Sequence, residues 1–209
     1  MRSGLLTLLG LVLLVPSVHA ADCAGEVSVA FEKQRTSKAF RVSMSQPTAE
    51  GPVQMTVDYL PPDKMLQTVV GAHMPGEQQT MLVGSRAFAG TSGAFEELLP
   101  QFTQSIVSEV RTAVGAAAQN LGAFECLGKV TFDGKELIAY RTADKPPEGT
   151  DAAKMLARTL YVDPTTGLPA FNVVATVSGK DEPVMKASYS YPTDVVIEAP
   201  VGAPMQKVK

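Results

Sequence analysis

The chain has 209 residues, with 18 Lys and Arg against 21 Asp and Glu, two cysteines, two histidines and no tryptophan. A formal charge of −3 without a long run of either sign leaves nucleic acid no basic face to grip, so it is excluded as a partner. Nine methionines, many valines and many alanines supply the apolar content and imply a soft, aliphatic interior.

Arg2, the apolar run Leu5 to Val15 and the small residues closing Val18-His19-Ala20 have the form of a secretory signal over residues 1–20. The run is too short for a bilayer core of ~30 Å, and no later stretch of ~18 apolar residues follows, so the expected protein is exported, periplasmic and not membrane-spanning. Cleavage takes away Arg2 alone among charged residues and moves the balance from −3 to −4; 209 residues less 20 leave 189, the size of one domain over 21–209. Cys23 lies close to the cleavage point, but Asp22 occupies the position where a lipobox needs a small neutral residue. In an oxidising compartment Cys23 and Cys126 allow a single intramolecular pairing, and a disulfide between them is expected to tie down the N-terminus; two unrelated thiols, or a lipidated Cys23, are the alternatives.

Downstream, apolar and polar residues alternate with period two, the signature of half-buried antiparallel strands. Phe40, Val42 and Met44 share one face, as do Val53, Met55, Val57 and Tyr59. Pro61-Pro62-Asp63 breaks the ladder, because proline has no N–H to give, and Met65 to Val70 resumes it. Beyond the Gly71 to Gly76 connection, Gln79 to Ser85 and Arg86 to Gly90 read as strands, with Thr91-Ser92-Gly93 turning toward Phe95. Pro100 suits a first helical position, and Phe102, Ile106, Val110, Ala113 and Ala117 recur at helical spacing, so one amphipathic helix is expected from there to Asn120, stopped by Gly122. Asp133-Gly134 is the strongest hairpin signal, joining Lys129–Phe132 to Lys135–Thr142. After a Pro-rich loop at Lys145 to Gly149, strands are expected at Leu156–Val162, Pro169–Val177 and Val184–Tyr191, then a short Val195–Ile197 strand and an exposed tail.

Such a meander cannot leave the helix's apolar stripe in water. The expected fold class is therefore mainly β (α+β): a curved antiparallel sheet forming an incomplete barrel, with one main amphipathic helix packed in its concave face.

Catalytic chemistry finds little to stand on. His73 is the lone histidine after the signal, and Gly90-Thr91-Ser92-Gly93 is one residue short of a nucleophile elbow. Glu96-Glu97 reads as favourable charge before a helix, Asp133 as a turn residue and Asp181-Glu182 as a solvated loop. Ser178-Gly179-Lys180 lacks the upstream glycine of a phosphate loop. No enzyme activity, metal site or cofactor is expected. What remains is apolar surface: Phe40, Val42, Met44, Met55, Val57 and Tyr59 on adjacent strands, with Phe102, Ile106 and Val110 over them. These are the candidate ligand-binding residues for a lipid or acyl chain, against the plainer reading that they close an ordinary core.

Several segments give the chain a family likeness: Val53–Tyr59 followed by Pro61-Pro62-Asp63-Lys64-Met65, Leu82-Val83-Gly84-Ser85-Arg86 leading to Phe95, Leu160-Tyr161-Val162-Asp163-Pro164-Thr165-Thr166-Gly167-Leu168-Pro169, and Tyr189-Ser190-Tyr191 with Asp194 to Pro200. On these the chain resembles the LolA-like superfamily of periplasmic lipoprotein carriers and related lipid-binding proteins. The resemblance implies an incomplete antiparallel barrel plugged by helices, with a hydrophobic cavity for acyl chains. The expected function is a non-enzymatic binding or carrier protein for a lipid or acylated ligand; the alternative is an envelope accessory protein that works through protein–protein contacts around a packed interior.

Overall fold

A computed structural model describes residues 23–115, 121–143, 148–149 and 151–207. The expected export signal, Ala117, Asn120 and most of the Lys145 to Gly149 loop lie outside the described residues. Two helices and eleven strands follow in order: α1 (Ala24–Arg35), β1 (Phe40–Gln46), β2 (Val53–Leu60), β3 (Lys64–Gly71), β4 (Gln78–Val83), β5 (Arg86–Thr91), β6 (Ala94–Glu97), α2 (Pro100–Val114), β7 (Phe124–Phe132), β8 (Lys135–Thr142), β9 (Leu156–Val162), β10 (Pro169–Thr176) and β11 (Met185–Ser190).

All the strands belong to one open antiparallel sheet ordered β6-β5-β4-β3-β2-β1-β11-β10-β9-β8-β7. It is two sequential meanders, β1 to β6 and β7 to β11, joined where Val42 of β1 faces Tyr189 of β11. The tight turns are where the sequence places them: Asp133 (φ 53°) and Gly134 (φ 74°) adopt the left-handed backbone that a two-residue hairpin demands. The sheet curls without closing, and both helices lie on its concave side. This is the incomplete, helix-plugged antiparallel barrel that the sequence leads one to expect. Among the described residues no helix is long and apolar enough to cross a membrane.

Four features differ from the sequence expectation. First, α1 is a second helix, where only a tethered N-terminus was expected; it buries just Val27, Ala30 and Gln34, so its apolar stripe is too thin to read in advance. Second, β7 begins at Phe124 rather than Lys129, with a bulge between Cys126 and Gly128. Third, α2 is described to Val114, with Gly115 as its C-cap. Fourth, Val195–Ile197 is not a strand and the tail after it is not free. Ile197 is buried on the convex face against Met81 and Phe88. Farther on, the Glu97 N–H donates to the Pro204 carbonyl and the Gln206 N–H to the Glu97 carbonyl, each at 2.8 Å. Prolines at 192, 200 and 204 interrupt any longer ladder, so the tail caps β6 at one point instead of extending the sheet.

Candidate functional site

Period-two alternation puts the six expected strand residues on one face, and the register pairs them: Phe40 with Tyr59, Val42 with Val57, and Met44 with Met55. α2 lies over this face. Phe40, Val57, Tyr59 and Val110 are buried in one cluster with Met65, Leu82, Ala87 and Val114, and the Phe40 and Tyr59 rings stack at 4.7 Å. Val42, Met55 and Ile106 border that cluster half-buried, and Met44 is likewise half-buried at the open end of β1. The Met55 sulfur accepts a hydrogen bond from Gln67 Nε2 at 2.9 Å.

Phe102 is 52% exposed and stands apart from the others. Its place follows from helix geometry. Four residues advance a helix by about 40° beyond a full turn, so a stripe anchored at Val110 and Val114 has rotated by roughly 80° when traced back to Phe102. Val107 occupies the sheet-facing position instead.

The other half of the concave face is covered by α1. Cys23, its N-cap, is bonded to Cys126 of β7 with Cα atoms 5.7 Å apart, and its N–H donates to the Phe124 carbonyl at 2.9 Å. The bridge uses the sulfur that lipidation would need. Cys23, Val27, Ala30, Phe124, Tyr140, Leu160 and Val162 form a second buried cluster. Tyr140 donates its hydroxyl proton to Glu26 at 2.6 Å, and burial together with that carboxylate pushes its phenol well up. Beside α1 an apolar groove of about 310 Å³ is floored by Val29, Ala30, Ile138, Tyr140 and Val162. A more polar groove of about 600 Å³ runs beside α2, with Leu98, Val107, Arg111 and Met205 in its walls.

Between the two clusters the middle strands carry polar groups on the same face. Asn172 of β10 pairs with Ala187 of β11, and its Nδ2 reaches the Tyr189 hydroxyl at 3.5 Å. Tyr191 donates to the Pro169 carbonyl at 2.8 Å, with the α1 residue Gln34 beside it. Gln34 is 5% and Asn172 9% exposed, yet Gln34 Nε2 and Asn172 Oδ1 have no hydrogen-bond partner. An unsatisfied buried polar atom costs about 1–3 kcal/mol, so this seam is a place the fold maintains at a loss. Sequence reading passed over Gln34 and Asn172; the one signal was an amide side chain amid the apolar run of β10.

All five tyrosines are held above the ordinary phenol range, chiefly by burial; Tyr59 is pushed up to about 12. A raised folded-state pKa contributes stability that is intact below about pH 10, where free phenols titrate, and is lost as pH climbs through the folded value. Absorbance titration at pH 10 is therefore expected to show almost no phenolate, with ionisation arriving together with alkaline unfolding. Phenolate growing along the curve of free tyrosine while circular dichroism stays native would refute this.

The groups weighed for catalysis in the sequence lie apart from this face. His73 is exposed on the β3–β4 connection. Glu97 does not serve α2 as helix-start charge: it lies on β6, where the Arg86 guanidinium grips it at 2.5 and 2.9 Å and holds its carboxyl below the usual range. Asp133 sits in the hairpin turn and accepts from Lys186 at 2.7 Å; Asp181 accepts from the Thr176 hydroxyl at 3.0 Å. Cys23, Glu26 and Cys126 bring three donor atoms within 4.8 Å of one another, but the two sulfurs are bonded together.

An open antiparallel half-barrel with helices in its concavity defines the class of fold, and solved structures share it. LprF from Mycobacterium bovis is similar at TM-score 0.53 and 13% identity, over 88% of this chain and 100% of that one. An uncharacterized conserved protein from Thermus thermophilus is similar at TM-score 0.50 and 10% identity, over 88% and 98% of the two chains. The LolA superfamily protein NE2245 from Nitrosomonas europaea matches at TM-score 0.32 with 12% identity, over 82% and 92%. The sequence matches no family model and no curated protein.

Proposed function

We propose that this is a periplasmic, non-enzymatic binding or carrier protein that holds a lipid or acylated ligand between its sheet and its helices, with residues 1–20 as export signal and 21–209 as one half-barrel domain. The observation that carries this reading is the apolar strip left half-covered on the concave face: Val42, Met44 and Met55 in register on β1 and β2, beside Ile106 of α2. Flexible methionine walls fit acyl chains of varied shape, and the closed cluster at Phe40, Val57, Tyr59 and Val110 forms the inner end of the strip.

Native mass spectrometry of gently purified protein is expected to show co-purifying lipid, and stripped protein to bind a fluorescent fatty acid. Ile106→Glu puts a charge on the strip and is expected to weaken that binding at least tenfold, about 1.4 kcal/mol, with secretion unchanged. Stripped protein without affinity for the probe would remove the reading.

A second reading, an envelope protein as partner, has its own observation. The β6 edge is capped by the tail, whereas β7 is a sheet edge with residues 126–129 exposed, a place where a partner's strand could pair. The two readings part on the contents of the purified protein, since the partner reading needs no lipid in it.

A further inference from the structure

We propose that the groove along the outer flank of α2 is a second binding site, one that takes a single acyl chain with an anionic head, a carboxylate or a phosphate. It is separate from the strip assigned above: none of Val42, Met44, Met55 or Ile106 lines it. At about 600 Å³ it has the size of a small-molecule site, and its two walls come from distant parts of the chain. One wall is a stripe of α2 made by Pro100, Thr103, Gln104, Val107, Ser108 and Arg111, whose alternating steps of three and one keep them on one side of the helix. Across from it stand Leu98, just past β6, and Met205 of the tail. Met205 is held there by the hydrogen bonds that join Glu97 to its neighbours Pro204 and Gln206.

The charges in these walls fix the kind of head. Glu97 is their one acid, and Arg86 takes both of its carboxylate oxygens at 2.9 and 2.5 Å, so that charge is already neutralised. Glu96 and Glu109, the nearest acids in sequence on β6 and α2, are not in the walls. Arg111 is the one base. It is exposed, and no ion pair among the described residues uses it. A planar guanidinium with open donors matches a carboxylate or phosphate, and the Ser108 hydroxyl, one turn back on the same stripe, adds another donor. Leu98, Pro100, Val107 and Met205 supply apolar contact for the chain. Pro100 and Arg111 lie roughly 16 Å apart along the helix axis, so a ligand anchored at Arg111 runs past Val107 toward Leu98 and Pro100.

The test titrates stripped, full-chain protein with laurate, dodecyl phosphate and the uncharged 1-monolauroylglycerol, followed through amide NMR shifts, which read affinity at the groove apart from the strip. Shifts are expected over residues 103–111 and 204–206. Laurate and dodecyl phosphate are each expected to bind there about threefold or more tighter than monolauroylglycerol, the scale of an exposed ion pair, with the margin shrinking in 1 M NaCl. Arg111→Gln is expected to abolish the preference while monolauroylglycerol affinity stays within about twofold. Met205→Glu, at a position 52% exposed, is expected to weaken the two anions more than the neutral compound, and it decides the matter if circular dichroism shows that Arg111→Gln does not fold. Ile106→Glu is expected to leave the groove affinities within about twofold, so the strip and the groove stand or fall separately. Equal affinities for the three compounds, shifts confined to the strip, no binding at all, or variants that keep the preference each overturn the inference. A less stable α2 in Arg111→Gln with the preference intact means that the guanidinium serves only the helix C-terminus, which overturns it as well.

Discussion

Protein in which Cys23 and Cys126 are both serine is expected to lose about 3–5 kcal/mol of unfolding free energy. The two residues are 103 apart in sequence, and closing a loop of about a hundred residues is worth ~4.7 kcal/mol in the chain-entropy model. The position of the bridge adds a local consequence. Cys23 caps α1, so the bond fixes the helix's first turn to β7, while at the far end Lys33 reaches the Thr166 carbonyl only through an exposed contact at 3.0 Å. The helix buries two small apolar side chains, Val27 and Ala30, too little to hold twelve residues by itself. Urea denaturation measures the global loss, and hydrogen exchange is expected to rise selectively over residues 24–35. A loss below 1 kcal/mol with α1 still protected would show that the helix is held by contacts other than the bridge.

Ile197→Ala is expected to cost about 2–4 kcal/mol, the range for truncating a buried isoleucine. Its side chain is 3% exposed and closes the convex cluster over Met81 and Phe88, with Leu60, Leu66, Val83 and Phe95 around them. Val201, four residues on, is fully exposed, and Val201→Ala is expected to leave stability within about 0.5 kcal/mol. The contrast separates a tail that covers the sheet from one that merely follows it. Equal midpoints for the two variants would refute the covering role. Loss of Ile197 is also expected to free Pro204 and Gln206 from Glu97, exposing the outer edge of β6.

Much of the sheet was legible because its rule is local. Alternation assigns Phe40, Val42 and Met44 to one face and Met55, Val57 and Tyr59 to the matching one, and Pro61-Pro62-Asp63 and Asp133-Gly134 place turns through backbone chemistry that needs no distant contact. The start of α2 was legible for the same reason, since Pro100 and the apolar spacing act within a few turns. Phe102 shows the limit of such reading: spacing by four looks like one stripe on paper, yet the stripe drifts around the helix, and only contact with the sheet decides which part of it is buried. Val195–Ile197 shows another, because apolar residues read as a strand can instead be held by side-chain burial on a sheet face.

Composition and periodicity by themselves determined an antiparallel meander, a helix in its concavity, a single cysteine pairing and the apolar faces of β1 and β2. The strands, turns and helix are set by residues within one strand, turn or helical repeat of each other, and the pairing by there being only two cysteines. Only the tertiary structure decided that a second helix shares the concave face, that the tail closes the convex one, and that Gln34 and Asn172 are buried. Gln34 and Asn172 are far apart in sequence, and their burial follows from α1 lying over β7 to β10, a long-range packing that no local pattern encodes.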